Sequence, residues 1–248
     1  MHLKVFELLK FKIKNRIEKN HRELAQGGNM EDIILVKNIE KNFKGKKLFC
    51  DFSFSVEKNT VHAFVGPNGS GKTSLLRILT GIYKCQGHVE VRASYAMLLE
   101  NDYLYEEKTG MENINIFSLY FGSDKENYKK YSDLLGITDD LNRKVATYSK
   151  GMKRKLSLLI IVLMDRDIIF LDEVTSGVDP LSRVEIRKII ASLKEEGKTL
   201  VITSHDLSEI EKVADRVTMI KDGKILFTRE ISQLGEDLED LFIEEGSK

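Results

Sequence analysis

Eight residues, GPNGSGKT from Gly66 to Thr73, have the types and spacing to hold a phosphate. They fit G-x-x-x-x-G-K-[ST] and sit between an apolar run, VHAFV, and a helical pattern, TSLLRILTGI. Gly66, Gly69 and Gly71 let the backbone wrap an anion, while Pro67, Asn68, Ser70 and Ser74 complete a loop whose amides face it at a helix amino terminus. Lys72 would reach the β- and γ-phosphates, and Thr73 would ligate Mg²⁺. A bare glycine-rich turn is the alternative, and the strand-before, helix-after setting argues against it. A second group lies in IIFLDE, residues 168–173, an apolar strand ending in adjacent carboxylates. Two such charges repel unless a cation joins them, so Asp172 is expected in a Mg²⁺ shell and Glu173 at the attacking water. A helix-capping acid would not need the pair. The third group is TLVITSHD, residues 199–206, where His205 ends a strand and is expected to bond the γ-phosphate. Asp206 and Glu209 read as a capping pair for the next helix. Asp179 before Pro180 reads as an N-cap followed by a first helical residue.

These groups require strands whose carboxyl ends lie side by side. VHAFV, IIFL, TLVIT and RVTMI are short apolar or β-branched runs separated by helical stretches, which predicts a parallel sheet with ligands at its carboxyl edge. Residues 33–61 alternate instead and predict antiparallel strands, and KDGK at 221–224 predicts a hairpin into ILF. Residues 100–147, polar and aromatic, read as an inserted helical subdomain. Residues 3–24 have the pattern of a basic amphipathic helix, either a solvated or partner-packed arm or one lying on a membrane interface. YSKGMKRKLSLLIIVLM, residues 148–164, sets Lys150, Lys153, Arg154 and Lys155 against an apolar run. It can be a membrane-surface helix, a nucleic-acid patch, or a helix whose amino end faces phosphate.

Composition narrows the choice. The 248 residues carry 39 Lys/Arg against 39 Asp/Glu, so no global basic field points to nucleic acid. Charge is uneven, however: residues 1–30 carry a net of +4, and residues 229–248 a net of −5, the mark of solvated tails. Cys50 and Cys85 have no CxxC spacing, which suits a reducing compartment. No signal-peptide core is visible, and no apolar run approaches the length of about 20 residues needed to span a bilayer.

With these residues in view the chain resembles the ATP-binding-cassette (ABC) ATPases over roughly residues 31–228. GPNGSGKTS is similar to the Walker A loop, IIFLDE to the Walker B strand, SGVD (Ser176 to Asp179) to the D-loop, and His205 to the switch histidine. YSKGMKRKL resembles the signature motif, with Ser149 and Gly151 at matching positions and departures at Lys150, Met152 and Lys153. The resemblance implies that this helix amino end, Met152 included, faces the γ-phosphate of an ATP held by another subunit, with the lysines adding positive potential. It also implies that Phe43 stacks on adenine, the alternative being a core aromatic, and that Glu100 takes the Q-loop position near Mg²⁺. Val174 and Asn59 are further departures. The implied fold is α/β: a P-loop NTPase (RecA-like) parallel sheet with an antiparallel β subdomain and an inserted helical subdomain at about 100–160. The implied domains are an extension over 1–29, a nucleotide-binding domain over 30–228 and an acidic tail over 229–248. The implied activity is ATP hydrolysis with Mg²⁺, in a homodimer on the cytoplasmic face of a membrane, driving a separate permease. LYEEKTGMEN, residues 104–113, resembles exporters of peptides, drugs or antibiotics. A non-transport cassette ATPase of translation or DNA repair is the competing class, but the chain shows no tandem cassette, coiled-coil insertion or basic nucleic-acid face.

Overall fold

The computed structural model describes residues 32–43, 45–123, 125–234 and 237–246. The basic segment expected over residues 1–29 lies outside them. Two sheets carry the architecture. β1 (Asp32–Phe43) and β2 (Lys46–Glu57) pair antiparallel, and β4 (Gln86–Val91) adds to the other side of β1. The larger sheet contains β3 (Val61–Val65), β5 (Tyr95–Leu98), β6 (Ile168–Asp172), β7 (Thr199–Ser204), β8 (Arg216–Lys221) and β9 (Lys224–Glu230). Its order is β5-β6-β7-β3-β8-β9, parallel throughout except for the β8–β9 hairpin. The Asp222-Gly223 turn of that hairpin has both residues at positive φ, as a tight two-residue connection demands. β4 and β5 are the two strands the sequence pattern did not single out.

Seven helices are described: α1 (Lys72–Leu79), α2 (Gly110–Phe121), α3 (Tyr128–Leu134), α4 (Lys150–Val162), α5 (Pro180–Glu195), α6 (Leu207–Glu211) and α7 (Leu238–Gly246). Among the described residues none is long and apolar enough to cross a membrane.

Both faces of the parallel sheet are buried, and the strands alternate between two cores. Ala63, Ile169, Leu171, Leu200 and Ile202 face Ile114, Leu156, Leu159 and Ile189 of the helices. Phe64, Ile168, Phe170 and Val201 face the other way, onto Leu75 and Leu79 of α1 and onto Phe49 and Phe52 of β2. Near-continuous apolar strands follow from this double burial.

One expectation is overturned at the carboxyl end. The acidic stretch from residue 229 is not a solvated tail as far as it is described: β9 runs through Glu230, and α7 docks on the core. Leu238 is fully buried, and Leu241 and Phe242 pack against the same cluster. Spacing of three and four residues puts these side chains on one helix face, so the acids can stay outside. Leu238 N also donates to Glu211 Oε1 at 2.6 Å.

Candidate active site

Strand register builds the site. Pairing of Asp172 with Thr203 and of Val65 with Ser204 brings the ends of β6, β7 and β3 into one row. The phosphate-loop candidate leaves β3 there and enters α1. Gly71, the residue before α1, has φ +106, and a Cβ on it would lie 2.8 Å from the Phe49 ring. Only glycine combines that backbone with so close a wall. Pro67, Asn68 and Gly69 are exposed at the loop tip, and Ser70 turns inward, with Ser70 N donating to Pro67 O at 3.2 Å.

Lys72 is buried and doubly engaged. Its ammonium donates to Gly66 O at 2.7 Å and Pro67 O at 3.3 Å, and Glu173 Oε1 lies 3.7 Å away. Burial pulls its pKa below the ordinary lysine value, while Glu173 and Asp172 pull it back up. Asp172 is fully buried. Its Oδ1 accepts from Thr73 Oγ1 at 3.0 Å and from Thr203 Oγ1 at 2.7 Å, and its Oδ2 is buried with no hydrogen-bond partner. A buried carboxylate oxygen left over beside a threonine hydroxyl fits a hard cation, so Thr73 and Asp172 can hold Mg²⁺. Among the described residues no group of three or more His, Cys, Asp or Glu gathers around a common point, and Glu100 is exposed. Glu100 is thus not drawn into the carboxylate pair.

Glu173 adopts φ +48, a left-handed backbone that a non-glycine residue takes at a cost of roughly 1–3 kcal/mol. Glu173 N donates to Thr203 O at 3.1 Å. Its carboxylate bridges two of the predicted residues, Lys72 on one oxygen and His205 on the other, where Nδ1 of His205 lies 2.9 Å from Oε2. His205 is half exposed and can face a ligand. Asp206 caps α6 through Glu209 N at 3.2 Å, but the Glu209 carboxylate turns to Arg187 on α5 at 2.7 Å instead of completing a capping box.

Phe43 is not a core aromatic. It is 38% exposed, meets Tyr83 edge-on with ring centroids 5.3 Å apart, and has Lys41 Nζ 4.8 Å over its ring. Its open face can stack on a base.

Ser149, Gly151, Met152 and Asp179 form a second group at the amino ends of α4 and α5. Ser149 Oγ accepts from Met152 N at 3.2 Å, and Asp179 accepts from Ser182 N at 2.9 Å, which holds its carboxyl below the usual carboxylate range. A Cβ on Gly151 would meet Ser182 Oγ at 2.6 Å and Asp179 Oδ2 at 2.7 Å, so glycine is what lets the two helix starts touch. Met152 packs part of its side chain against the core.

The expected bank of positive potential on α4 needs correction. Lys153 pairs with Glu106, and Lys155 with Glu185 at 2.8 Å. Arg154 is buried and turned inward, where it donates to the backbone oxygens of Asp172 and Val174. A cation beside an apolar run is stable only when such partners satisfy it. Arg154 and Thr203 are the functional-site neighbours that sequence reasoning missed. Neither has a motif of its own, and only the register of β6 against β7 and the roll of α4 bring them to Asp172.

Comparison with known proteins agrees with this geometry. A family model described as ABC transporter matches residues 49–176. YhcH of Bacillus subtilis (strain 168), an uncharacterized ABC transporter ATP-binding protein, is 33% identical over 228 residues, covering 86% of this chain and 75% of its own length. SrtF of Streptococcus pyogenes, a lantibiotic transport ATP-binding protein, is 30% identical over 220 residues, 85% of this chain and 96% of its own. A solved ATP-binding subunit of an ABC transporter superposes with a TM-score of 0.76 at 21% identity, over 86% of this chain and 99% of that one, which shows a shared fold. The chain therefore belongs to the ABC transporter ATP-binding family, and like its members it is an ATPase.

Proposed function

We propose that this chain is the motor of an exporter, working as two identical copies on a separate membrane permease at the cytoplasmic face. The observation that carries the reading is the cluster at the strand ends, where Glu173 touches both Lys72 and His205 beside Asp172 and Thr73. Export is supported by LYEEKTGMEN and by similarity to a lantibiotic transport ATP-binding protein. A permease partner is supported by an apolar pocket beside β5, lined by Met97, Leu104, Phe117, Phe121, Ile160 and Met164, which can take an apolar side chain of a docked partner.

The residues divide the work as follows. The loop from Gly66 to Ser74 wraps the phosphates, and Phe43 stacks on adenine. Lys72 exchanges the carbonyls of Gly66 and Pro67 for phosphate oxygens, a trade its buried ammonium favours. Thr73 and Asp172 would hold Mg²⁺, which when bound neutralises charge on the phosphate oxygens. Glu173 orients the attacking water and takes up its proton, while His205 steadies that carboxylate and bonds the γ-phosphate. In the paired state Ser149, Gly151 and the amides that open α4 of one copy face the phosphate bound by the other, with Asp179 at the seam.

Glu173→Gln tests the reading. It should keep ATP affinity, accumulate as an ATP-bound dimer in light scattering, and lose about a hundredfold or more in turnover. Near-wild-type hydrolysis by this variant would remove Glu173 from its role. Purification from membranes should bring a polytopic membrane protein with the chain; ribosomes or DNA in its place would point to the translation or repair class.

A further inference from the structure

Arg154 is 3% exposed, and its guanidinium is satisfied by the Asp102 carboxylate and by backbone carbonyls. Its donors fan out over two segments that flank the nucleotide site. Nη2 donates to Asp172 O at 2.6 Å and Nε to Val174 O at 3.2 Å. Nη1 donates to Leu99 O, to Glu100 O at 3.3 Å and to Asp102 Oδ1 at 3.3 Å. The first two acceptors are the backbone carbonyls of the residues before and after Glu173, Asp172 and Val174. That residue holds a left-handed backbone, which needs support from its surroundings. The other acceptors belong to the chain just after β5, where Glu100 sits.

We propose that Arg154 is a positioning residue for hydrolysis, its guanidinium tying the carbonyls of Asp172 and Val174, the residues on either side of Glu173, and the backbone after β5 into one frame. The proposal rests on Glu173 being the residue that activates water. Arg154 lies on α4, five residues beyond the Ser149 cap, so the same helix that opens with the signature also sets the aim of its own chain's glutamate. Movement of α4 is thereby transmitted to Glu173 through hydrogen bonds to backbone. Arginine suits the task because its planar fork spreads five donors over separated acceptors, whereas a lysine presents three from one atom. Its neighbours on α4 cannot substitute, since Lys153 and Lys155 are paired with Glu106 and Glu185.

The test uses the full chain with Arg154→Lys and Arg154→Gln, each made alone and on top of Glu173→Gln. Arg154→Lys keeps the buried charge and carries the test if Arg154→Gln does not fold. Acting through Glu173 predicts that either variant lowers kcat about tenfold or more, with KM and nucleotide Kd within about twofold of wild type. In the Glu173→Gln background the same change should alter the residual rate by less than about twofold, because the group being aimed is gone. Equal fold-losses in both backgrounds, an undiminished kcat, or a loss of nucleotide affinity matching the loss of kcat would each overturn the proposal. The two readings fail separately. Fast hydrolysis by Glu173→Gln alone removes the role of Glu173 and Arg154's with it. A dead Glu173→Gln beside fully active Arg154 variants removes only Arg154's.

Discussion

Lys72 shows how a single buried side chain is kept ready for a ligand. Its ammonium donates to two carbonyls and lies beside the Glu173 carboxylate, whose charge offsets part of the pKa lowering that burial causes. Lys72→Ala should weaken ATP binding at least about tenfold, as read by fluorescent nucleotide titration; unchanged affinity would contradict its place at the phosphates. His62, on β3, behaves in the opposite sense. It is buried, stacked on Phe64 and bonded through Nε2 to Thr218 Oγ1 at 2.8 Å. Burial, reinforced by the nearby Arg216, lowers its pKa from 6.5 to about 3. The unfolded chain therefore takes up a proton below about pH 6.5 that the native state refuses. Stability is complete above that pH and falls as pH drops toward 3, by about 2 kcal/mol at pH 5 from this residue. Urea melts at pH 7 and pH 5 should show a smaller difference for His62→Gln, and an equal difference would remove His62 as a source of the acid sensitivity.

At the scale of elements, the joint between α4 and α5 is the most demanding. Ser149 and Asp179 cap the two helices, and Gly151 lets their first turns touch. Gly151→Ala places a methyl group against Ser182 and Asp179, an overpacking worth about 1–3 kcal/mol. Thermal melts should show that loss, and ATPase activity should fall with it if the joint shapes the signature end. A variant with an unchanged melting temperature and full activity would mean that the contact is slack. Ser149→Ala should cost about 1 kcal/mol through the lost cap alone, measurable as a lower denaturation midpoint. α7 illustrates the same principle at the other end, where Leu238, Leu241 and Phe242 outweigh a run of acids by sharing a face.

For the whole molecule, the parallel sheet puts the phosphate-side residues in one row and leaves the signature group as a separate cluster at the starts of α4 and α5. Under the proposed function these two groups are the halves of one nucleotide pocket. In the proposed pair the halves come from different copies, so specific ATPase activity should rise with protein concentration until dimers saturate. A flat dependence down to dilute monomer would argue against a shared site.

The sequence by itself picked out the candidate phosphate loop, the carboxylate pair, His205, the helix caps at Asp179 and Asp206, and the alternation of strand and helix. All of these depend on spacing along the chain: a loop must curl between strand and helix, a cap sits one residue before its helix, and β-strands bury alternate residues. Tertiary structure decided what depends on neighbours distant in sequence. Thr203 meets Asp172 only through strand register, 31 residues away. Arg154 looked like part of a basic patch until the packing of α4 turned it onto the backbone of β6, while its flanking lysines found Glu106 and Glu185. Phe43 could be core or surface from its position on a strand, and the edge contact with Tyr83 left one face open. The acidic carboxyl-terminal stretch likewise carried too much charge to advertise the three apolar side chains that dock it. Charge and hydrophobicity are properties of a residue, but whether a charge meets solvent, a carboxylate or a carbonyl is settled only when the chain brings that partner near.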